Sequence, residues 1–148
     1  MIPRNAVQGR GPVDQNRPLI SRTYPPITRH LLALYCGASG DTNPIHVDMD
    51  VARRAGFPDV FAHGMLVMAF LGNMLEEAGP IQGLKSFSGR FVSITQLGAQ
   101  ITCEGDVAEN RGDEAILNLI AKDQCGDIKV QGTATVNRSM WGVRFAQT

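Results

Sequence analysis

A chain of 148 residues has the length of one ordinary domain, able to bury roughly 70% of its unfolded surface without help from disulfides or metals. Hydrophobic residues at 43% and charged residues at 19% describe a soluble globular protein, and fourteen basic against fourteen acidic residues leave no net field to recruit nucleic acid or an anionic membrane. No apolar run reaches the about 18 residues of a spanning helix, and Cys36, Cys103 and Cys125 form no C-x-x-C pair, so free thiols in a cytoplasmic protein are expected.

Residues 1 to 18 read as a flexible tail, broken by Pro3, Gly9, Gly11, Pro12 and Pro18 and lacking the apolar stretch of a secretory signal. One domain is expected over 19 to 138, with a C-terminal extension over 139 to 148. It opens with a short extended piece from Leu19 to Tyr24, closed by Pro25-Pro26. Thr28 then suits a helix N-cap, with Leu31, Leu32, Leu34 and Tyr35 as the apolar stripe and Gly37 and Gly40 ending the helix. Pro44 drives Asn43 out of the helical region, so Asp41 to Pro44 must be a loop. A short helix from Met49 to Ala55 follows, capped by Asp48 and stopped at Gly56.

Residues 64 to 78 are apolar on nearly every face until Glu76 and Glu77, which predicts a buried helix. Gly64 and Gly72 on it leave room for neighbouring backbone. After Gly79-Pro80 the pattern turns to strands: Phe87 to Thr95, Gln100 to Val107, Ala115 to Ala121 and Ile128 to Val136. In the last, Ile128, Val130, Ala134 and Val136 oppose Lys129, Gln131, Thr133 and Thr135. One antiparallel sheet with helices on one face is an α+β domain.

The densest group of reactive side chains is Ser39-Gly40-Asp41-Thr42-Asn43-Pro44-Ile45-His46. On a helix, residues at i and i+5 would point about 140° apart; on the loop that Pro44 enforces, Asp41 and His46 can converge on one water. A carboxylate and an imidazole there can divide general base and general acid work. His63-Gly64-Met65 stands where the long helix begins, and free N–H groups at a helix start stabilise negative charge on a carbonyl oxygen. Base, acid and oxyanion donor are the parts needed to add water beside a carbonyl, or to remove it.

The run Tyr35-Cys36-Gly37-Ala38-Ser39-Gly40-Asp41-Thr42-Asn43-Pro44-Ile45-His46, then Ala52 and Ala62-His63-Gly64-Met65, resembles the MaoC-like dehydratase family, which includes the (R)-specific enoyl-CoA hydratases. The resemblance covers roughly residues 20 to 137. It implies a hot-dog fold, with a long central helix wrapped by a curved antiparallel sheet, and a homodimer or higher homo-oligomer joined through sheet edges. By the same resemblance Asp41 and His46 match the catalytic pair and the Gly64 N–H the donor to a thioester carbonyl. Asn43 matches the asparagine that orders the loop, and Ser39, His63 and Met65 join it as loop-ordering or substrate-binding candidates. The substrate implied is an acyl-CoA or acyl-carrier-protein thioester, with no metal or organic cofactor.

Two other readings compete. One is a non-catalytic acyl-binding subunit paired with an active partner, which would have no need of Asp41 or His46. The other is a hot-dog thioesterase, which would want a carboxylate on the central helix, where Met65 to Leu75 supplies none. Lys85, Arg90, Lys122 and Arg138 are candidates for coenzyme A phosphates. The extension with Trp141, Arg144 and Phe145 offers cover for an acyl pocket or a partner surface.

Overall fold

A computed structural model describes residues 18–141. Strand β1 (Ile20–Thr23) leads into helix α1 (Arg29–Ser39), a 3-10 turn (Pro44–His46), short α2 (Met49–Arg54) and long α3 (Gly64–Ala78). A second 3-10 turn (Ile81–Gly83) then feeds β2 (Leu84–Phe91), β3 (Thr102–Arg111), β4 (Glu114–Lys122) and β5 (Ile128–Asn137). The strands form one five-stranded antiparallel sheet in the order β1-β3-β4-β5-β2. Helix α3 lies across all five strands, the α+β arrangement of the hot-dog fold. Residues 1 to 17 and 142 to 148, with most of the expected tail and with Arg144 and Phe145, lie outside the described residues.

Local chemistry explains the early elements. Thr28 caps α1 by accepting from the Leu31 N–H at 3.1 Å, and Asp48 caps α2 by accepting from the Asp50 and Val51 N–H groups. Gly37 continues α1 rather than ending it; the stop is Gly40, whose φ of 75° lets its N–H close on the Cys36 carbonyl. The buried stripe of α1 is Leu32 and Cys36, one turn apart, flanked by half-buried Leu31 and Tyr35. Leu34 faces solvent, contrary to the expected stripe.

Helix α3 is not buried all round. Leu66, Val67, Phe70, Leu71, Met74 and Leu75 make one buried stripe, while Met65 is 53% exposed on the other side. The stripe packs on Ile101, Leu117, Leu119, Val130 and Val136 of the sheet side, each burial stabilising by about 1.5–3 kcal/mol. Tyr24 fastens the end of β1 to the helix: its hydroxyl donates to the Phe70 carbonyl at 2.7 Å and its ring stacks on Phe70 at 4.2 Å. Neither α3 glycine serves a backbone approach. A Cβ on Gly72 would meet the Phe87 ring at an ordinary 3.7 Å, and one on Gly64 would press the Phe91 ring at 3.0 Å. The close backbone approach is between β2 and β5, where a Cβ on Gly132 would strike the Ser88 carbonyl.

The sheet departs from expectation in three places. Strand β2 starts at Leu84 and ends at Phe91, because beyond it the chain bends away, held by Ser93 Oγ donating to the Ile128 carbonyl at 2.8 Å. Strand β3 runs on to Arg111 through an irregularity after Val107, and the hairpin to β4 is tight, with Gly112 at φ 58°. Lys129, expected on the polar face of β5, is 4% exposed. Its ammonium donates to Asp127 at 2.6 Å and to the Ile94 carbonyl at 3.1 Å, and pairs with Asp123 at 3.2 Å. Trp141 is buried against Gly79 and Gly83, at the opposite end of α3 from Gly64.

Candidate active site

Successive side-chain hydrogen bonds shape the loop after α1. Ser39 Oγ donates to the Tyr35 carbonyl at 2.6 Å and accepts from the Asp41 N–H at 3.2 Å. Asp41 Oδ1 accepts from the Asn43 N–H at 3.3 Å, and Asn43 Oδ1 accepts from the Ile45 N–H at 3.2 Å. These turns, with Pro44 opening the 3-10 turn, carry the chain from exposed Asp41 to buried His46.

His46 Nδ1 lies 2.8 Å from the Phe61 carbonyl. A carbonyl can only accept, so Nδ1 carries a proton, and in the neutral ring Nε2 keeps the lone pair. The ring stands edge-on to Phe61, with centroids 5.1 Å apart. His63, the N-cap residue of α3, packs against His46 with centroids 3.9 Å apart. Its Nε2 is 3.2 Å from the Asp41 backbone carbonyl and 3.4 Å from Cys36 Sγ, and the ring of Tyr35 meets it edge-on at 4.9 Å. By the same logic Nε2–H donates to Asp41, and Nδ1 is buried with no partner among the described residues. Burial, then the neighbouring His46, push the His63 pKa below the ordinary imidazole value, against a smaller opposing pull from Asp41.

Asp41, His46 and His63 each bring one donor atom within 4.8 Å of the other two. The structure thus draws three of the sequence-derived candidates to one point, and Ser39 and Asn43 shape the loop that carries them. Gly64 opens α3 directly after His63, and helix geometry leaves its N–H without an intrahelical acceptor. Met65, in the first turn, is exposed; Phe91, whose ring covers Gly64, is 51% exposed on the edge strand β2.

The segment carrying Phe61 and His63 is held by the sheet side. Ala62 N–H donates to the Thr95 carbonyl at 2.9 Å and Phe61 bridges to Gln96. The buried Lys129 grips that segment through the neighbouring Ile94 carbonyl. Neither the Phe61 carbonyl nor Lys129 was among the sequence candidates: a backbone acceptor leaves no mark in composition, and alternation alone placed Lys129 outside.

Other candidates lie apart. Glu76 and Glu77 are exposed at the far end of α3, Glu77 paired with Arg22, so the helix brings no carboxylate to its start. Lys85 pairs with Glu114 and Lys122 with Glu104; Arg90 reaches Gln131 and Arg138 the Gly112 carbonyl. A cavity of about 370 Å³ is lined by Pro18 to Arg22, Met74, Glu77 and Ala78, away from the histidines. Among the described residues no helix is long and apolar enough to cross a membrane.

Known proteins carry the same plan. The chain is 32% identical over 111 residues to the (R)-specific enoyl-CoA hydratase of Rhodospirillum rubrum, covering 70% of this chain and 74% of that protein. It is 34% identical over 110 residues to the fatty acid synthase subunit beta of Aspergillus oryzae, spanning 72% of this chain but only 5% of that much longer protein. The unliganded R-hydratase structure from Pseudomonas aeruginosa superposes with a TM-score of 0.71 at 26% identity, covering 86% of each chain. The family model described as "MaoC like domain" matches residues 13–124, a span that contains both the Asp41–His46 loop and the His63-Gly64 helix start. The chain belongs to the MaoC-like domain family.

Proposed function

We propose that this chain is a hydro-lyase that reversibly hydrates trans-2-enoyl thioesters, of coenzyme A or acyl carrier protein, to (R)-3-hydroxyacyl thioesters. The observation that carries the reading is the 2.8 Å contact of His46 Nδ1 with the Phe61 carbonyl, which leaves Nε2 to accept a proton in a cluster where Asp41 and His46 bring donor atoms within 4.8 Å of each other. Water held between Asp41 and His46 gives a proton to Nε2 as its oxygen bonds to the β-carbon. The alkene electrons move onto the thioester oxygen, where the Gly64 N–H stabilises the enolate-like charge. When the carbonyl re-forms, the proton passes from the pair to the α-carbon, so one water is added in balance. The reverse sequence dehydrates. The thioester carbonyl is the electron sink, and the reading calls for no metal or organic cofactor.

A second copy of the chain is part of the proposal. Strand β2 is a sheet edge paired on one side by β5; exposed Phe91, Val92 and Ile94 follow on and beyond it, and the Phe91 ring lies against Gly64. A homodimer meeting at this edge would cover the apolar surface and shelter the site from bulk water. The cytoplasmic location is likewise proposed, supported by thiols at Cys36 and Cys103 that are free and buried.

The test is product analysis. Crotonyl-CoA, longer enoyl-CoAs and an enoyl-carrier-protein are incubated with the protein and the 3-hydroxyacyl product is resolved by chirality. The (R) product from at least one of them is expected; (S) product, or hydrolysis of the thioester without hydration, contradicts the reading.

A further inference from the structure

The site holds more donor atoms than water activation uses. Asp41 and His46 suffice for that chemistry, yet His63 adds a second imidazole whose donor lies within 4.8 Å of theirs. His63 is 1% exposed, and its Nδ1 has no hydrogen-bond partner among the described residues, which leaves a buried acceptor unsatisfied. His46 has the outer contact of a metal-ligating histidine, Nδ1–H to a backbone carbonyl, which leaves the opposite nitrogen for a ligand. Asp41 is exposed, so the cluster is open to an ion from solvent on that side.

Two imidazoles and one carboxylate form a donor set suited to a borderline-soft divalent ion with water at an open position. Mg²⁺ and Ca²⁺ call for oxygen donors in greater number. We propose that Asp41, His46 and His63 form an inhibitory Zn²⁺ site, in which the ion takes up the His46 lone pair and the Asp41 carboxylate that the substrate water requires. Cys36 Sγ stands beside His63 and outside this three-residue set. Zinc here is an inhibitor and not a cofactor: hydration proceeds on the metal-free protein and stops when the ion binds. The inhibition rests on the hydratase reading; the binding does not.

Equilibrium dialysis of the full chain against Zn²⁺ reads binding without reference to activity, and Co²⁺ titration reports coordination by the intense visible bands of a four-coordinate ion. One ion per chain is expected, with binding at least tenfold weaker in both His63→Gln and His46→Gln, each shown to be folded by circular dichroism. Binding that neither substitution weakens, or Co²⁺ bands that stay pale and octahedral, overturns the site. In the metal-free wild type, hydration of crotonyl-CoA should fall in step with Zn²⁺ occupancy and return with chelator. A filled site with undiminished turnover overturns the inhibition. If the metal-free wild type hydrates no enoyl thioester, the functional reading fails, and the dialysis result alone still decides the metal site.

Discussion

His46 and His63 stack 3.9 Å apart, but their hydrogen bonds divide them. The Phe61 carbonyl fixes the proton of His46 on Nδ1, while His63 spends its Nε2–H on the Asp41 carbonyl and so ties α3 to the loop after α1. Burial holds the His63 pKa below its ordinary value of about 6.5. The unfolded chain therefore takes up a proton before the folded one does as pH falls. The resulting stability is complete above about pH 6.5 and is lost as pH drops from there toward the folded value. Melting temperatures followed from about pH 7.5 to 5 should fall in the wild type and fall less steeply in His63→Gln. Equal slopes would show that His63 does not carry the effect.

At the scale of elements, the start of α3 is where main-chain chemistry can be separated from packing. Proline is tolerated at the first helical position, and the His63 backbone, at φ −57° and ψ 134°, suits a residue before proline. Gly64→Pro therefore removes the N–H while keeping the helix, and Gly64→Ala adds the same Cβ against the Phe91 ring while keeping the N–H. We expect hydration to fall roughly 100- to 1,000-fold in the proline variant and much less in alanine. Similar losses in both would assign the effect to the Phe91 contact.

The Lys129 cluster is the other element-scale device, since it pins the strand-like segment that in turn holds Ala62. Burial alone would lower the Lys129 pKa, but the carboxylates of Asp127 and Asp123 outweigh it and raise it. The Lys129 contact, foremost, holds Asp127 below the usual carboxylate range; in Asp123, hydrogen bonds from the Asp127 N–H, Lys129 and the Cys125 N–H overcome burial. That stability is present above the ordinary carboxylate pKa and lost as pH falls below it. Lys129→Met should cost about 1–3 kcal/mol in urea unfolding at neutral pH and flatten the acid limb. An unchanged midpoint would show the cluster to be idle.

Over the whole molecule, what could be read from sequence was what is local. Thr28, Asp48, Gly40 and Pro44 act on neighbours within a turn, so the caps, the loop and the convergence of Asp41 and His46 follow from residue chemistry. The limits of α3 at Gly64 and Ala78 follow from an apolar run bounded by glycine. What depended on distant partners was misplaced. Lys129 is buried because carboxylates in the β4–β5 turn and a carbonyl beyond β2 receive it, and alternation carries no trace of either. Val92 and Ile94 extended the expected strand past its end because they are apolar, whereas both are exposed in the single chain. Met65 read as buried for the same reason. Met65 follows Gly64 directly and the exposed Phe91 ring lies against it, so part of the least legible surface adjoins the most legible part of the site.

The central claim is that water is activated by the pair on the loop after α1. Its most direct test is the loss of enoyl absorbance on hydration of crotonyl-CoA, or of whichever enoyl thioester the wild type prefers, by the wild type, Asp41→Asn and His46→Gln side by side. The account predicts turnover in the wild type and a loss of roughly 100-fold or more in each variant, with melting temperatures showing all three folded. Wild-type rates in either folded variant would contradict it.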